Sequence, residues 1–208
     1  MAGSAPNAHS VPILALVATL CFASGASAQS PTTRGVLLGA HVGMASIKIE
    51  NSERSSGGGA GIMVGYGLNR MLTIFVQVDG TRVDVRNQPD VSGTWAMAHA
   101  DLGARFNFAN SERTAVPYLV GAVSGRVVSV SDIPVTSPLS GNDVSFSGGS
   151  LTLGGGVMLY VSETLAFDLG LLFGGGKFTE ITVDNTTQTG FDIDAQSRRF
   201  NLGVAWWP

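Results

Sequence analysis

Strict alternation of apolar and polar residues is the dominant pattern along this chain. From Ala98 to Phe108 every even-numbered residue is apolar, and the odd-numbered ones are polar or glycine. A period of two sustained over this length predicts a β-strand whose two faces lie in different surroundings. The same pattern recurs in residues 36–47, 59–68, 72–81, 116–125, 150–161, 165–176 and 199–207.

The connections between these predicted strands alternate in length. Short turns are expected near residues 69–70, 109–114 and 162–163, and long polar loops at 50–58, 85–93, 130–147 and 179–196. Short turns at one end and long loops at the other are typical of a membrane barrel whose termini are both periplasmic. The sequence therefore predicts an all-β fold, an eight-stranded antiparallel up-and-down transmembrane β-barrel.

Side-chain size indicates which face of each strand meets lipid. One face carries Leu, Ile, Val, Phe, Tyr and Trp, whereas the other carries mainly Gly and Ala with a few polar residues. Eight strands enclose only enough space for side chains to fill, so the bulky set would overpack the interior. We therefore expect the bulky face to contact lipid and the small, partly polar face to point inward.

In the fifth strand this rule assigns Val116, Tyr118, Val120 and Ala122 to the lipid side. Arg126 shares their register and is expected high on the outer surface, where it either meets a lipopolysaccharide phosphate or is simply solvated. Aromatic residues near strand ends are expected to form the belts found at membrane interfaces. These are Trp95, Trp206, Trp207, Tyr66, Tyr118 and Phe108.

Charges that point into the barrel must pair, because an unpaired buried ion costs several kcal/mol. The expected inward acids are Asp79, Asp101 and Asp168, and the expected inward bases are Arg105 and Arg199. We predict an interior polar network in which these five charges are joined by His99, Gln77 and Asn201. Further hydrogen bonds would come from His41, Asn107, Thr152 and Tyr160.

Composition narrows the class of protein. Of 208 residues only 13% are charged, about half the usual share, and the net charge of −3 comes without a clustered basic stripe. A nucleic-acid partner is therefore not expected. Residues 1–28 contain no Asp, Glu, Lys or Arg, and Ala26 and Ala28 precede Gln29 in the way of a cleavage site. This predicts a removable secretory signal peptide, followed by a barrel spanning residues 29–208.

The possible chemical sites have little support in the sequence. His99 and Asp101 share a face, but no spacing nominates a serine nucleophile, and the chain after residue 28 has only His41 and His99 as histidines and no cysteine. A metal site would require more ligands than these. We expect no catalytic residues, no metal and no cofactor.

Near the C-terminus, Asn201 is followed by Gly203 two positions later and by Trp206 three beyond that. This spacing resembles the last strand of small outer-membrane β-barrel proteins of Gram-negative bacteria, the OmpA-like barrel or opacity-protein group. In that family the strand carries a polar residue, then a glycine two positions later and an aromatic three beyond. Asn201, Gly203 and Trp206 match this assembly signal, whereas Pro208 replaces the final aromatic. The segments "YLVGAVSG" and "FDLGLLF" are also similar to family strands. The resemblance implies an outer-membrane location, contact with membrane lipid and lipopolysaccharide, recognition by the barrel-assembly machinery, and a monomer.

These expectations favour a non-enzymatic outer-membrane protein with a structural or surface-interaction role through four extracellular loops. A narrow, filled interior would exclude general porin conduction. Two alternatives remain open. A lipid-modifying outer-membrane enzyme would need a Ser–His pair at the barrel mouth. A periplasmic ligand-binding barrel would need the two faces inverted.

Overall fold

A computed structural model describes residues 33–50, 54–84, 94–108, 114–131, 144–183 and 186–208. These residues form eight strands, each paired antiparallel with the next, and the last strand pairs with the first to close the ring. The predicted fold class is thereby confirmed. The strands are β1 Gly35–Ile49, β2 Ser55–Gly67, β3 Leu72–Asp84, β4 Thr94–Asn107, β5 Ala115–Ser131, β6 Val144–Tyr160, β7 Leu165–Val183 and β8 Thr186–Trp206. In the part of the chain described, no helix is long and apolar enough to cross a membrane.

The closure of the barrel displaces the strands along one another. Following paired residues from Leu38 of β1 once around the ring leads back to β1 at Lys48, ten residues further along. A displacement of this kind requires the strands to tilt against the barrel axis, typically by about 35–45°. The same displacement determines which inward-facing side chains lie at the same height along the barrel axis.

Successive residues of each strand face outward and inward in turn. The outward residues are apolar and exposed; Leu151 and Leu153, for example, are 65% and 67% exposed. The inward residues are small or polar and mostly buried. The predicted faces of β1 to β4 and of β6 to β8 agree with this arrangement, which is the opposite of what a periplasmic ligand-binding barrel would need.

The predicted faces of β5 were wrong. Val116, Tyr118, Val120 and Ala122 are buried inside the barrel, and the outward face carries residues such as Leu119, which is 56% exposed. Side-chain size could not distinguish the lipid-facing side of β5 from its interior side, because both faces of this strand are apolar. The interior accommodates the Tyr118 ring because the facing strands carry glycines. A Cβ on Gly156 or Gly170 would lie 2.5 Å or 2.8 Å from the Tyr118 hydroxyl.

The predicted aromatic belts were only partly right. Trp206, Tyr66 and Phe108 are about half exposed on the outer wall. Trp207 instead lies inside, 1% exposed, with its ring stacked on that of Tyr160 at a centroid distance of 5.6 Å. Tyr118 is likewise interior, and Trp95 packs against an inner apolar cluster.

The long loops are shorter than the sequence suggested. Most of residues 179–196 belongs to strands, because β7 continues to Val183 and β8 begins at Thr186. Strand structure also covers part of 130–147 and of 50–58. Polar composition indicated exposure to water in these segments, but their Thr, Val and Ile residues still favour strands. The predicted loop 85–93, most of the predicted turn 109–114, and the predicted signal peptide lie outside the described residues.

Two apolar clusters close the interior at its ends. We call the end with the short connections, where the Leu68 amide donates to the Leu72 carbonyl at 2.9 Å, the turn end, and the opposite end the loop end. The turn-end cluster includes Leu37, Val116, Tyr160 and Trp207. The loop-end cluster consists of Ala45, Ile47, Val83, Met97, Val128, Phe178 and Ala195. Arg105 is surrounded by members of the turn-end cluster, and Arg126 packs on Phe178 of the loop-end cluster.

Candidate functional site

The first group of buried charges centres on Arg199 of β8. Its Nη1 atom lies 2.5 Å from an Asp79 carboxylate oxygen and 2.7 Å from an Asp101 carboxylate oxygen. Asp79 also accepts a hydrogen bond from Gln77 at 3.0 Å and pairs with His41. Alternation along β1, β3, β4 and β8 directs these side chains inward, and pairing brings Gln77 opposite Asp101. One guanidinium therefore forms ion pairs with two carboxylates.

The second group of buried charges centres on Arg105 of β4, nearer the turn end. Its Nη2 atom lies 3.0 Å from Asp168, and the Tyr118 hydroxyl donates a hydrogen bond to the same carboxylate at 2.7 Å. The guanidinium also lies over the Tyr118 ring, 4.1 Å from its centroid. Tyr118 thus contacts both members of the ion pair, a role that the sequence analysis did not assign to it.

Arg126 is a third interior arginine, contrary to the prediction that placed it on the outer surface. It is 1% exposed, its Nη2 atom donates to the Ala195 carbonyl at 3.1 Å, and its guanidinium lies 4.7 Å from the centre of the Phe178 ring. Among the described side chains no carboxylate lies within ion-pair distance of it. Extending the alternation of β5 inward from Tyr118 would have found it. With Arg126 inside, three buried arginines face three interior aspartates.

Of the remaining predicted residues, Thr152 joins the Arg199 group, whereas Asn107, Asn201 and His99 form no hydrogen bond with either group among the described residues. Thr152 accepts from Arg199 at 3.4 Å and shares a hydrogen bond with Ser124 at 2.8 Å. Asn107 instead donates to Thr73 at the turn end. Asn201 is half-buried on the inner wall, and His99 is 2% exposed with no hydrogen-bond partner on either ring nitrogen.

The predicted assembly signal lies on both walls of β8. Trp206 points outward and is 47% exposed, whereas Asn201 and Gly203 face the interior. A Cβ on Gly203 would lie 2.6 Å from that of His41 on β1. This glycine therefore has a packing role at the closure of the barrel, whatever its part in assembly.

The interior has little free volume and few groups suited to chemistry. A cavity of ≈ 30 Å³ lies beside Arg105, Tyr118 and Asp168, and one of ≈ 10 Å³ lies beside His41 and Arg199. The larger one has room for about two water molecules. Within the described ranges, no cluster of three metal-binding side chains occurs and neither histidine is hydrogen-bonded to a serine.

Comparison with known proteins places this geometry in context. Residues 13–206 match the family model described as an outer membrane protein beta-barrel domain. Neisserial surface protein A (NspA) aligns over 83% of this chain and 96% of its own, with 18% identity and a TM-score of 0.61. OprG from Pseudomonas aeruginosa aligns over 86% and 98%, with 11% identity and a TM-score of 0.57. Ail, the attachment invasion locus protein of Yersinia pestis, aligns over 83% and 99%, with 12% identity and a TM-score of 0.51. A search of curated proteins found no match.

Proposed function

Because the chain belongs to the outer-membrane β-barrel family, we propose that it is a non-enzymatic protein with a structural or surface-interaction role at the loop end of its barrel, and that it is not a general porin. The filled interior is the observation that carries this proposal. The ion pairs of Arg199 and Arg105 and two apolar clusters occupy the described interior, and the cavity beside Arg105, Tyr118 and Asp168 is ≈ 30 Å³. A general porin would require an aqueous channel along the axis.

The proposal includes an orientation in the membrane. β1 begins and β8 ends at the turn end, so both termini of the barrel lie on that side. Short turns face the periplasm in barrels of this type, and longer loops face the exterior. The loop end would therefore be extracellular, with lipid and lipopolysaccharide around the wall. Assembly by the barrel-assembly machinery and a monomeric state belong to the same proposal.

The β7–β8 hairpin is the part of the loop end best suited to contact other molecules. Its two strands stay paired as far as Val183 and Thr186, whereas β1 stops pairing with β8 at Ile49 and Ala195. The hairpin therefore continues beyond its β1 neighbour. Its first β8 residues, 186–190, are exposed and polar, and Lys177 forms a salt bridge with Asp192 at 2.7 Å.

Tag accessibility tests the orientation. A short epitope inserted between Val183 and Thr186 should bind antibody on intact cells. The matched control is the same epitope inserted between Asn69 and Arg70, which should bind antibody only after the outer membrane is permeabilised. The opposite pattern of accessibility would overturn the orientation and, with it, the role proposed for the hairpin.

Planar-bilayer recording tests the sealed interior. The folded protein should give no steady channels where a general porin in the same bilayer does, and it should migrate differently on electrophoresis before and after boiling. Long-lived porin-sized currents from protein that shows the mobility shift would contradict the proposal, because the shift establishes that the closed barrel is intact.

A further inference from the structure

Two neighbouring side chains inside the barrel have hydrogen-bonding atoms without a partner. Arg126 of β5 is 1% exposed and His99 of β4 is 2% exposed. Neither His99 ring nitrogen, nor the Nε or Nη1 atom of Arg126, has a hydrogen-bond partner within the described residues. Buried polar groups in folded proteins are nearly always hydrogen-bonded, so these atoms call for water or a bound ion.

The two side chains belong to one place in the interior. Arg126 and His99 lie directly opposite each other on the β4–β5 ladder, and both face inward. Residues paired in this way have Cβ atoms about 4.5–5.5 Å apart. The Arg126 Nη2 atom donates to the Ala195 carbonyl of β8 at 3.1 Å. Ser197, the next inward residue of β8, has a buried hydroxyl that is also without a partner, so Arg126 contacts a strand that carries a third such group.

The acids that face His99 already have a cation, whereas Arg126 has no carboxylate partner. Asp79 lies opposite His99 on β3, and Asp101 follows His99 by two residues on β4. Both carboxylates form ion pairs with Arg199 of β8. The residues paired next in line on β2, β6 and β7 are uncharged: Gly61, Gly148 and Phe178. An anion beside Arg126 would supply the charge that no described side chain provides.

Binding of an anion here would favour binding of a proton as well. The three buried arginines balance the three interior aspartates, so an added anion alone would leave an excess negative charge. His99 can supply the balancing positive charge, since histidine is the side chain that normally changes charge between pH 5 and 8. His41 of β1, the other interior histidine, already pairs with Asp79. Proton uptake by His99 and anion binding beside Arg126 should therefore strengthen each other.

The surroundings of Arg126 favour a small anion. Its unpartnered nitrogen atoms and those of His99 are shielded from solvent. The Phe178 ring lies against the Arg126 guanidinium, with its centre 4.7 Å away. Packing this close favours a single-atom anion over a polyatomic one such as sulfate.

We propose that Arg126 and His99 bind chloride inside the barrel, and that His99 takes up a proton when the anion binds. The Nε–H and Nη1–H groups of Arg126 and a ring N–H of His99 donate to the anion, and the Ser197 hydroxyl is available as a further donor. Hydrogen bonds between charged groups are stronger than those between neutral ones. The site depends neither on the orientation of the barrel in the membrane nor on the role of its loops.

The test measures how the stability of the folded barrel in lipid vesicles depends on the anion. Urea titrations at about pH 4.5 and about pH 7.5 compare sodium chloride with sodium gluconate at equal ionic strength. An anion that binds only the folded protein raises the folding equilibrium constant. R126M and H99Q each remove one binding group. R82M is the matched control for loss of an arginine, because Arg82 is exposed on the outer wall.

Replacing gluconate by chloride should raise the folding equilibrium constant of the wild type and of R82M at least about tenfold at the acidic pH, and less at the higher pH. R126M should respond equally to both salts, and H99Q should lose the dependence of the chloride effect on pH. Equal chloride effects in wild type and R126M would overturn the proposal, as would a wild-type effect of the same size at both pH values.

A wild type that responds equally to both salts would also overturn the proposal, because ordered water alone would then satisfy these groups. Bromide provides a measurement that does not depend on the variants, should R126M fail to fold. Crystals of the wild type grown in bromide at the acidic pH should show an anomalous scattering peak between Arg126 and His99, and its absence there would count equally against the site.

Discussion

Two arginines inside the barrel and two on its outer wall differ in whether a carboxylate pairs with them. Inside, Arg105 and Arg199 each lie within 3.0 Å of at least one carboxylate. Outside, Arg54 and Arg198 have no carboxylate partner among the described side chains, although they lie near each other. Pairing offsets the cost of burial, since an uncompensated interior charge costs several kcal/mol. Arg126, the third interior arginine, instead donates to the Ala195 carbonyl and lies over the Phe178 ring. The charges of the exposed wall carry no such cost, so they can remain without a partner. The comparison predicts that inner substitutions lower the free energy of unfolding, whereas outer substitutions leave it nearly unchanged.

The largest effect should follow the loss of Arg199. R199M leaves Asp79 and Asp101 buried without their shared cation, and we expect the free energy of unfolding to fall by about 3–5 kcal/mol. Urea titration of the barrel in lipid vesicles, followed by tryptophan fluorescence, measures this. R199K retains the charge and should lose less. If R199M lost less than about 1 kcal/mol, interior pairing would not be what stabilises this wall.

A smaller effect should follow removal of one hydroxyl. Y118F keeps the ring over Arg105 but removes the 2.7 Å hydrogen bond to Asp168. Because the acceptor is charged, we expect a loss of about 1.5–3 kcal/mol in the same titration. Y66F is the matched control, since Tyr66 is 51% exposed on the outer wall. Equal losses in both variants would show that the interior bond contributes nothing specific.

The smallest effect on stability should come from the outer wall. R54Q/R198Q should change the free energy of unfolding by no more than about 0.5 kcal/mol, the range usual for surface substitutions. Relief of the repulsion between the two arginines could even make the change stabilising. A loss as large as that of R199M would mean that these arginines support the fold, and the contrast between the two walls would disappear.

Most of the fold could be predicted from the sequence, because it follows from the alternation of apolar and polar residues and from the lengths of the connections between strands. No comparable pattern distinguishes the two faces of β5, because both are apolar. Its orientation depends on Gly156 and Gly170, which lie on other strands and make room for Tyr118. Misplacing Tyr118 also misplaced Arg126. Local pattern alone could not correct this error.

Which interior charges pair with each other could not be predicted from the sequence, for a different reason. Which aspartate meets Arg105 or Arg199 depends on the displacement of the strands around the ring, and no local motif specifies it. The predicted charged residues consequently form two groups, His99 and Asn201 join neither of them, and a third arginine lies apart from both. The proximity of Arg54 and Arg198 could not be predicted for the same reason, because the two residues come together only where β8 closes onto β1.

The ten-residue displacement around the ring also bears on how this protein can change during evolution. Deleting one residue within a strand exchanges its faces, because side chains alternate with a period of two. Between His99 and Arg105, such a deletion would turn part of the inner charge pattern toward lipid. Connections at the loop end carry no such constraint and tolerate insertions. Variation in length should therefore accumulate at the loop end, while the wall keeps its register.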